Sequence, residues 1–168
     1  MICESTSLSK YINKSSNIFF VFGPEIVLKN NSVDLINQFL KEKNFNEKKI
    51  ITDYSKIENT ILENASGSLF GSKIIIEINH LKGKIPKEIV NIFEMQDIKR
   101  FNDIALIIKS SIEKINKNTK WMKLLDSLGL IVECNKLKSY EEKAWVKNQL
   151  NFMNESDARD YSTRIADI

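Results

Sequence analysis

Ile18-Phe19-Phe20-Val21-Phe22-Gly23-Pro24 begins with five apolar residues and closes on a Gly-Pro turn, with Asn17 in front of it. A short, unbroken apolar run between turn residues reads as a strand buried on both faces. Beyond it Ile26, Val33, Ile36, Phe39 and Leu40 recur at helical spacing, and Pro24 is compatible only with the opening turn of that helix. The unit is strand, Gly-Pro turn, helix.

That unit recurs along the chain. Lys49-Ile50-Ile51-Thr52 reads as a short strand, and Ser55 with Glu58 three positions on reads as a capping box ahead of Ile57, Ile61, Leu62 and Ala65. Glycine is favoured just past a helix end, so this helix is expected to stop at Ser66-Gly67. Ile74-Ile75-Ile76-Glu77-Ile78 is too apolar to have one wet face, as in a parallel sheet covered on both sides. Pro86 opens a helix carrying Ile89, Val90 and Phe93, and Ile104-Ala105-Leu106-Ile107-Ile108 is a further buried strand. Trp121, Leu124, Leu125 and Leu128 share a helical face ending at Gly129, before a last strand at Leu130-Ile131-Val132. Five strands alternating with helices through short turns predict a doubly wound α/β domain with a parallel sheet.

After Cys134 the period changes. Ser139 and Glu142 read as a second capping box, and only helical spacing follows, through Ala144, Trp145, Leu150, Ala158, Tyr161 and Ile165. The boundary falls near Lys136 to Ser139, giving an α/β domain over 1–137 and the beginning of a helical domain over 138–168. The apolar face of this last segment is expected to find its partners in a longer chain.

Hydrophobic residues at 42% and charged residues at 28% describe a foldable globular chain rather than a disordered one. No apolar run approaches the roughly 18 residues of a membrane span, and polar Ser5 to Lys10 stand where a signal peptide would be apolar, so no membrane association and a cytoplasmic location are expected. Cys3 and Cys134 lack partners at metal-ligand spacing, so no metal is expected; Cys134 reads as core and Cys3 as incidental. A net charge of +3, from 25 basic and 22 acidic residues, neither demands nor excludes nucleic acid.

The Gly-Pro turn after the first strand stands where phosphate-binding loops stand, and the comparison fails in detail. Such a loop reads G-x-x-x-x-G-K-[ST], whereas this chain has Gly23-Pro24-Glu25-Ile26-Val27-Leu28-Lys29-Asn30. Leu28 replaces the second glycine, Pro24 removes an N–H, and Glu25 repels phosphate. The third strand ends Glu77-Ile78-Asn79-His80, with one carboxylate and no Asp-Glu pair for magnesium. His80, the only histidine, reads as a loop residue without a nucleophile beside it. No catalytic residues and no cofactor are expected.

Ser66-Gly67-Ser68-Leu69-Phe70-Gly71-Ser72-Lys73, running into Ile74-Ile75-Ile76-Glu77-Ile78, resembles the stretch of bacterial DNA polymerase III delta subunits in which Ser-Leu-Phe precedes a small residue, a basic residue and an apolar strand. Phe20-Val21-Phe22-Gly23-Pro24-Glu25 is similar to that family's altered nucleotide loop. Lys120-Trp121-Met122-Lys123-Leu124-Leu125 is similar to its helix ahead of a Val/Ile-rich strand, and order and spacing agree from about Asn17 to Ile168. The resemblance implies an AAA+-like, P-loop-NTPase-like parallel sheet that has lost hydrolysis, then a small helical lid domain and a carboxy-terminal collar domain, the last absent from this sequence. It implies a clamp-loader subunit of the DNA-directed DNA polymerase holoenzyme. Its expected partners are the sliding clamp (beta subunit), other loader subunits held through the absent domain, and primed DNA.

In that family the Leu-Phe pair is a hydrophobic plug for a pocket on the clamp, which carries over to Leu69 and Phe70, with Ser68 at the rim. Two large apolar residues between a helix-ending glycine and a Gly-Ser turn, where a buried position is less expected, are also candidates for an interface anchor. The bland reading is that they tuck under the sheet. Lys114, Lys117, Lys120 and Lys123 are candidate DNA contacts, or a solvated helix face, with Trp121 turned into the core. Two rivals remain. A nucleotide-binding AAA+ ATPase would need a workable loop at Gly23, Pro24, Glu25 and Lys29. A nucleic-acid-binding module would need aromatic platforms beside its lysines.

Overall fold

The computed structural model describes residues 1–14, 17–65, 72–95 and 97–166. They divide into two units, Met1–Asn135 and Lys136–Ile168. The first holds strands β1 (Ile2–Glu4), β2 (Ile18–Phe22), β3 (Phe45–Ile51), β4 (Lys73–His80), β5 (Ile104–Ser110) and β6 (Leu130–Glu133). Between them lie helices α1 (Leu8–Tyr11), α2 (Ile26–Glu42), α3 (Ile57–Ala65), α4 (Lys87–Glu94) and α5 (Lys120–Leu128).

All six strands form one sheet in the order β1-β6-β2-β5-β4-β3, and every pairing is parallel. Side chains alternate across the sheet. Ile18, Phe20 and Phe22 of β2 therefore join Ile76, Ile78, Leu106 and Ile108 in one core, covered by Ile57 and Ile61 of α3, Ile89 and Phe93 of α4, and Leu125 of α5. On the other face Phe19 meets Phe39 of α2 edge to face, with ring centroids 6.4 Å apart. Burial on both faces is what the continuous apolar runs required. Trp121 is only partly buried, yet it joins the core by stacking on Phe93 at 6.4 Å.

Several local expectations are corrected. The sheet has a sixth strand, β1, which three residues of mixed polarity could not announce. It pairs with β6 and buries Cys3, which is therefore a core residue. The second predicted strand begins earlier, at Phe45, whose ring is buried. Ser55 is not the cap of a box with Glu58: it sits in a 3₁₀ turn, Tyr54–Lys56, where Asp53 accepts its N–H and hydroxyl at 3.2 and 2.7 Å. Ile26 and Leu62 lie on the exposed sides of their helices.

Gly129 follows α5 as expected, but for another reason. Its backbone is extended rather than left-handed, and a Cβ there would lie 2.3 Å from the Ile18 carbonyl oxygen. Close strand approach, not helix termination, demands the missing side chain.

In the second unit α6 (Ser139–Gln149) packs with α7 (Glu155–Ala166), and Ala158 and Ser162 are buried. The capping interaction is one residue earlier than the sequence suggested: Glu141, not Glu142, reaches back to the N–H of Lys138 at 2.8 Å. Tyr140, Phe152, Tyr161 and Ile165 stay exposed.

Candidate functional site

In open parallel sheets, ligands sit in the crevice beyond the carboxyl ends of the strands, where the chain direction around the sheet reverses. Here that place is the end of β2, flanked by β5 and β6. It is closed by the chain itself. Gly23 N–H donates to the Ile112 carbonyl at 2.9 Å, on the β5 side, and Glu25 N–H donates to the Cys134 carbonyl at 3.2 Å, on the β6 side. Pro24 between them has no N–H. At the front of the loop the donors that would meet a phosphate are thus engaged, at Gly23 and Glu25, or missing, at Pro24.

Gly23 has φ of 127°, and a Cβ there would lie 2.3 Å from the Cys134 carbonyl oxygen. The glycine is required because β6 passes this close, and it brings no phosphate contact with it.

Lys29 occupies the position of the motif lysine but is turned inward. It is 6% exposed, and its Nζ donates to the Ser110 carbonyl at 3.4 Å. Burial lowers its pKa from the ordinary 10.5, opposed by the neighbouring Cys134 and reinforced by Lys109. An ammonium held in this way is a tie between α2 and the end of β5.

His80 is not a loop residue. It ends β4 at 2% exposure, with Nδ1 2.9 Å from the Ser110 hydroxyl and its ring against Tyr54 at 6.4 Å. Ser110 Oγ also accepts the Ile112 N–H at 3.2 Å, so one hydroxyl organises the end of β5. Sequence gave no sign of this, because Ser110 is 30 residues from His80. Glu77, in the same strand, pairs with Lys48 of β3 at 2.6 Å. Its carboxylate is committed to a neighbouring strand rather than turned to a metal. Among the described residues no group of three or more His, Cys, Asp and Glu is arranged to hold a metal ion.

Residues 19–135 match the family model described as DNA polymerase III, delta subunit. The chain belongs to the DNA polymerase III delta subunit family.

The chain is 26% identical, over 151 residues, to DNA polymerase III subunit delta of Buchnera aphidicola subsp. Schizaphis graminum, which covers 86% of this chain and 44% of that protein. Among solved structures it is similar to the Bacillus subtilis DNA clamp loader delta protein, with TM-score 0.62 and 15% identity, over 93% of this chain and 51% of that one. Rhizobiales Trip13 shares the fold at TM-score 0.51 and 11% identity, over 86% of this chain and 55% of that one. The chain spans about half the length of these relatives. The AAA+-like parallel sheet implied by the resemblance is present.

The other site residues of the delta reading fall as follows. Ser68, Leu69 and Phe70 lie outside the described residues. Lys114, Lys117, Lys120 and Lys123 are exposed but do not form one helix face, because α5 begins only at Lys120. Lys117 pairs with Glu133 at 2.8 Å, and Lys120 lies 3.8 Å from Glu94. The loop holding Lys114 and Lys117 is built by polar turns, such as Asn116 accepting the Asn118 N–H at 2.9 Å. Among the described residues no helix is long and apolar enough to cross a membrane.

Proposed function

We propose that this chain is the amino-terminal part of a clamp-loader delta subunit that binds the sliding clamp through Leu69 and Phe70 and helps to open it, without hydrolysing ATP. Membership of the delta family supports the clamp as partner. The observation that carries the reading is the closure of the strand ends around Gly23: its N–H and that of Glu25 are spent on the chain's own carbonyls, and Lys29 is buried against Ser110. A nucleotide would have to break these bonds to reach the N–H groups at the front of the loop. What remains for a replication protein of this family is a binding role.

Two large apolar side chains can anchor such a contact, because interface energy concentrates in a few desolvated residues. Other loader subunits, held through the carboxy-terminal domain absent from this sequence, and primed DNA within the complex complete the proposed assembly. Capture of the cognate clamp by the immobilised 168-residue chain tests the reading. Retention of the clamp without added nucleotide is expected; absence of retention at micromolar concentration would reject it.

A further inference from the structure

β3 lies at one edge of the sheet and is bonded to β4 alone. Asn46, Glu47, Lys48, Lys49 and Ile50 are all exposed, so the helix layers leave both faces of this stretch open. Ile50, the apolar member, is 56% exposed. An edge strand presents a row of N–H and C=O groups that a further strand can bond. Among the described residues, no backbone group of Asn46 to Ile51 makes a backbone bond outside the β3–β4 ladder. The opposite edge, β1, is only three residues long.

The charges on β3 select what can pair with it. Glu47 and Lys49 share a face of the strand, and neither enters an ion pair among the described residues. An antiparallel strand that satisfies both must place an acid opposite Lys49 and, two residues on, a base opposite Glu47. Glu47-Lys48-Lys49 itself has that order. With a two-fold axis at Lys48, Glu47 of each copy falls opposite Lys49 of the other, and the attractive pair forms twice. A slip of one residue either way sets Lys49 against Asn46 or Lys48 instead. Lys48 meets its own copy at the axis, but each ammonium is already held by Glu77 at 2.6 Å.

The same register suits Ile50. It lies in the row of Glu77, and in the pairing it falls opposite Asn46 of the other copy. There a groove of about 360 Å3 opens between α2 and β3, with Phe45, Asn46 and Ile75 in its lining. Lysines on an edge ordinarily discourage pairing. Here one is bonded within its own chain, and the other is answered by a strand of this very sequence. We infer that β3 pairs antiparallel with β3 of a second copy of this chain about an axis at Lys48, giving a homodimer with one continuous sheet.

Sedimentation equilibrium of the whole chain at low salt, from low micromolar to millimolar concentration, tests this. The mean mass should rise from 19.4 kDa toward twice that value. E47K and K49E should each weaken association by about tenfold or more, because both opposite-charge pairs become like-charge pairs. An equimolar mixture of the two variants should recover association, since each copy then supplies the charges that the other lacks. Both variants should melt with the parent, because the two side chains are exposed. A parent that stays at 19.4 kDa throughout would overturn the inference and leave the edge to a strand of another protein. E47K and K49E associating as the parent does would also overturn it, by placing the contact on another surface. So would a mixture of the two variants that stays monomeric.

Discussion

The ammonium of Lys29 lies 3.4 Å from the carbonyl oxygen of Ser110, across 81 residues of sequence and out of reach of solvent. In a phosphate-binding loop the corresponding lysine faces the ligand. Here it faces the end of a strand, and the N–H groups of Gly23 and Glu25 are bonded to carbonyls of the flanking segments. The place where this class of sheet holds a ligand has become part of the protein's own framework.

ATP and magnesium-ATP are therefore expected not to bind specifically. A fluorescent ATP analogue titrated into the protein should give no saturable signal. Saturable micromolar binding that unlabelled ATP displaces would revive the nucleotide-binding ATPase.

The buried ammonium of Lys29 predicts a particular pH dependence. Its folded-state pKa is lowered from 10.5, chiefly by burial, so over the interval below 10.5 the unfolded chain binds more protons than the folded one. Lys29 therefore makes stability rise with pH across that interval. The Lys29→Met variant should lose this rise and should melt no lower than the parent at pH 8, which thermal melts of both proteins between about pH 7 and 10.5 will read. A variant that unfolds much earlier at pH 8 would instead show that the tie to Ser110 outweighs the burial penalty.

Burial pushes the thiols of Cys3 and Cys134 up to about 11 from an ordinary 9.0. The thiolate is the reactive form, and a shift of two units cuts its population roughly a hundredfold at pH 8. Neither cysteine should react with a thiol-exchange reagent in the native protein over an hour at pH 8, while both should react in denaturant. Rapid native labelling at either position would contradict the packing of β1 against β6. The sign for stability is opposite to that of Lys29: the unfolded chain loses these protons first, so stability falls between about pH 9 and 11.

Leu69 and Phe70 carry the proposed clamp contact. Truncating a hot spot of this kind costs at least about 2 kcal/mol, so L69A/F70A should lower clamp affinity by well over tenfold. The melting temperature should hardly change, because residues that serve an interface contribute little to the core. Calorimetry and circular dichroism on the same variant separate the cases. Unchanged affinity would reject the plug, and a collapsed melting temperature would assign the pair to the core, where two such truncations cost about 2 to 5 kcal/mol each.

The sequence by itself determined the class of fold. Apolar runs such as Ile104–Ile108 can be satisfied only under cover on both faces, and their alternation with helical patterns leaves a parallel α/β sheet. It also determined that the turn departs from the phosphate-loop motif, because Leu28 and Pro24 are covalent facts of the chain. The tertiary structure alone decided the rest. β1 is a strand only because β6 is there to pair with it, and Cys3 is core for the same reason. Lys29 and His80 are ordinary polar letters in the sequence, and only the convergence of α2, β4 and β5 on Ser110 buries them. Gly23 reads as a turn residue from its neighbours, but what it accommodates is the Cys134 carbonyl, more than a hundred residues away. Periodicity reports which face of a segment avoids water, and it is blind to which distant segment comes to cover it.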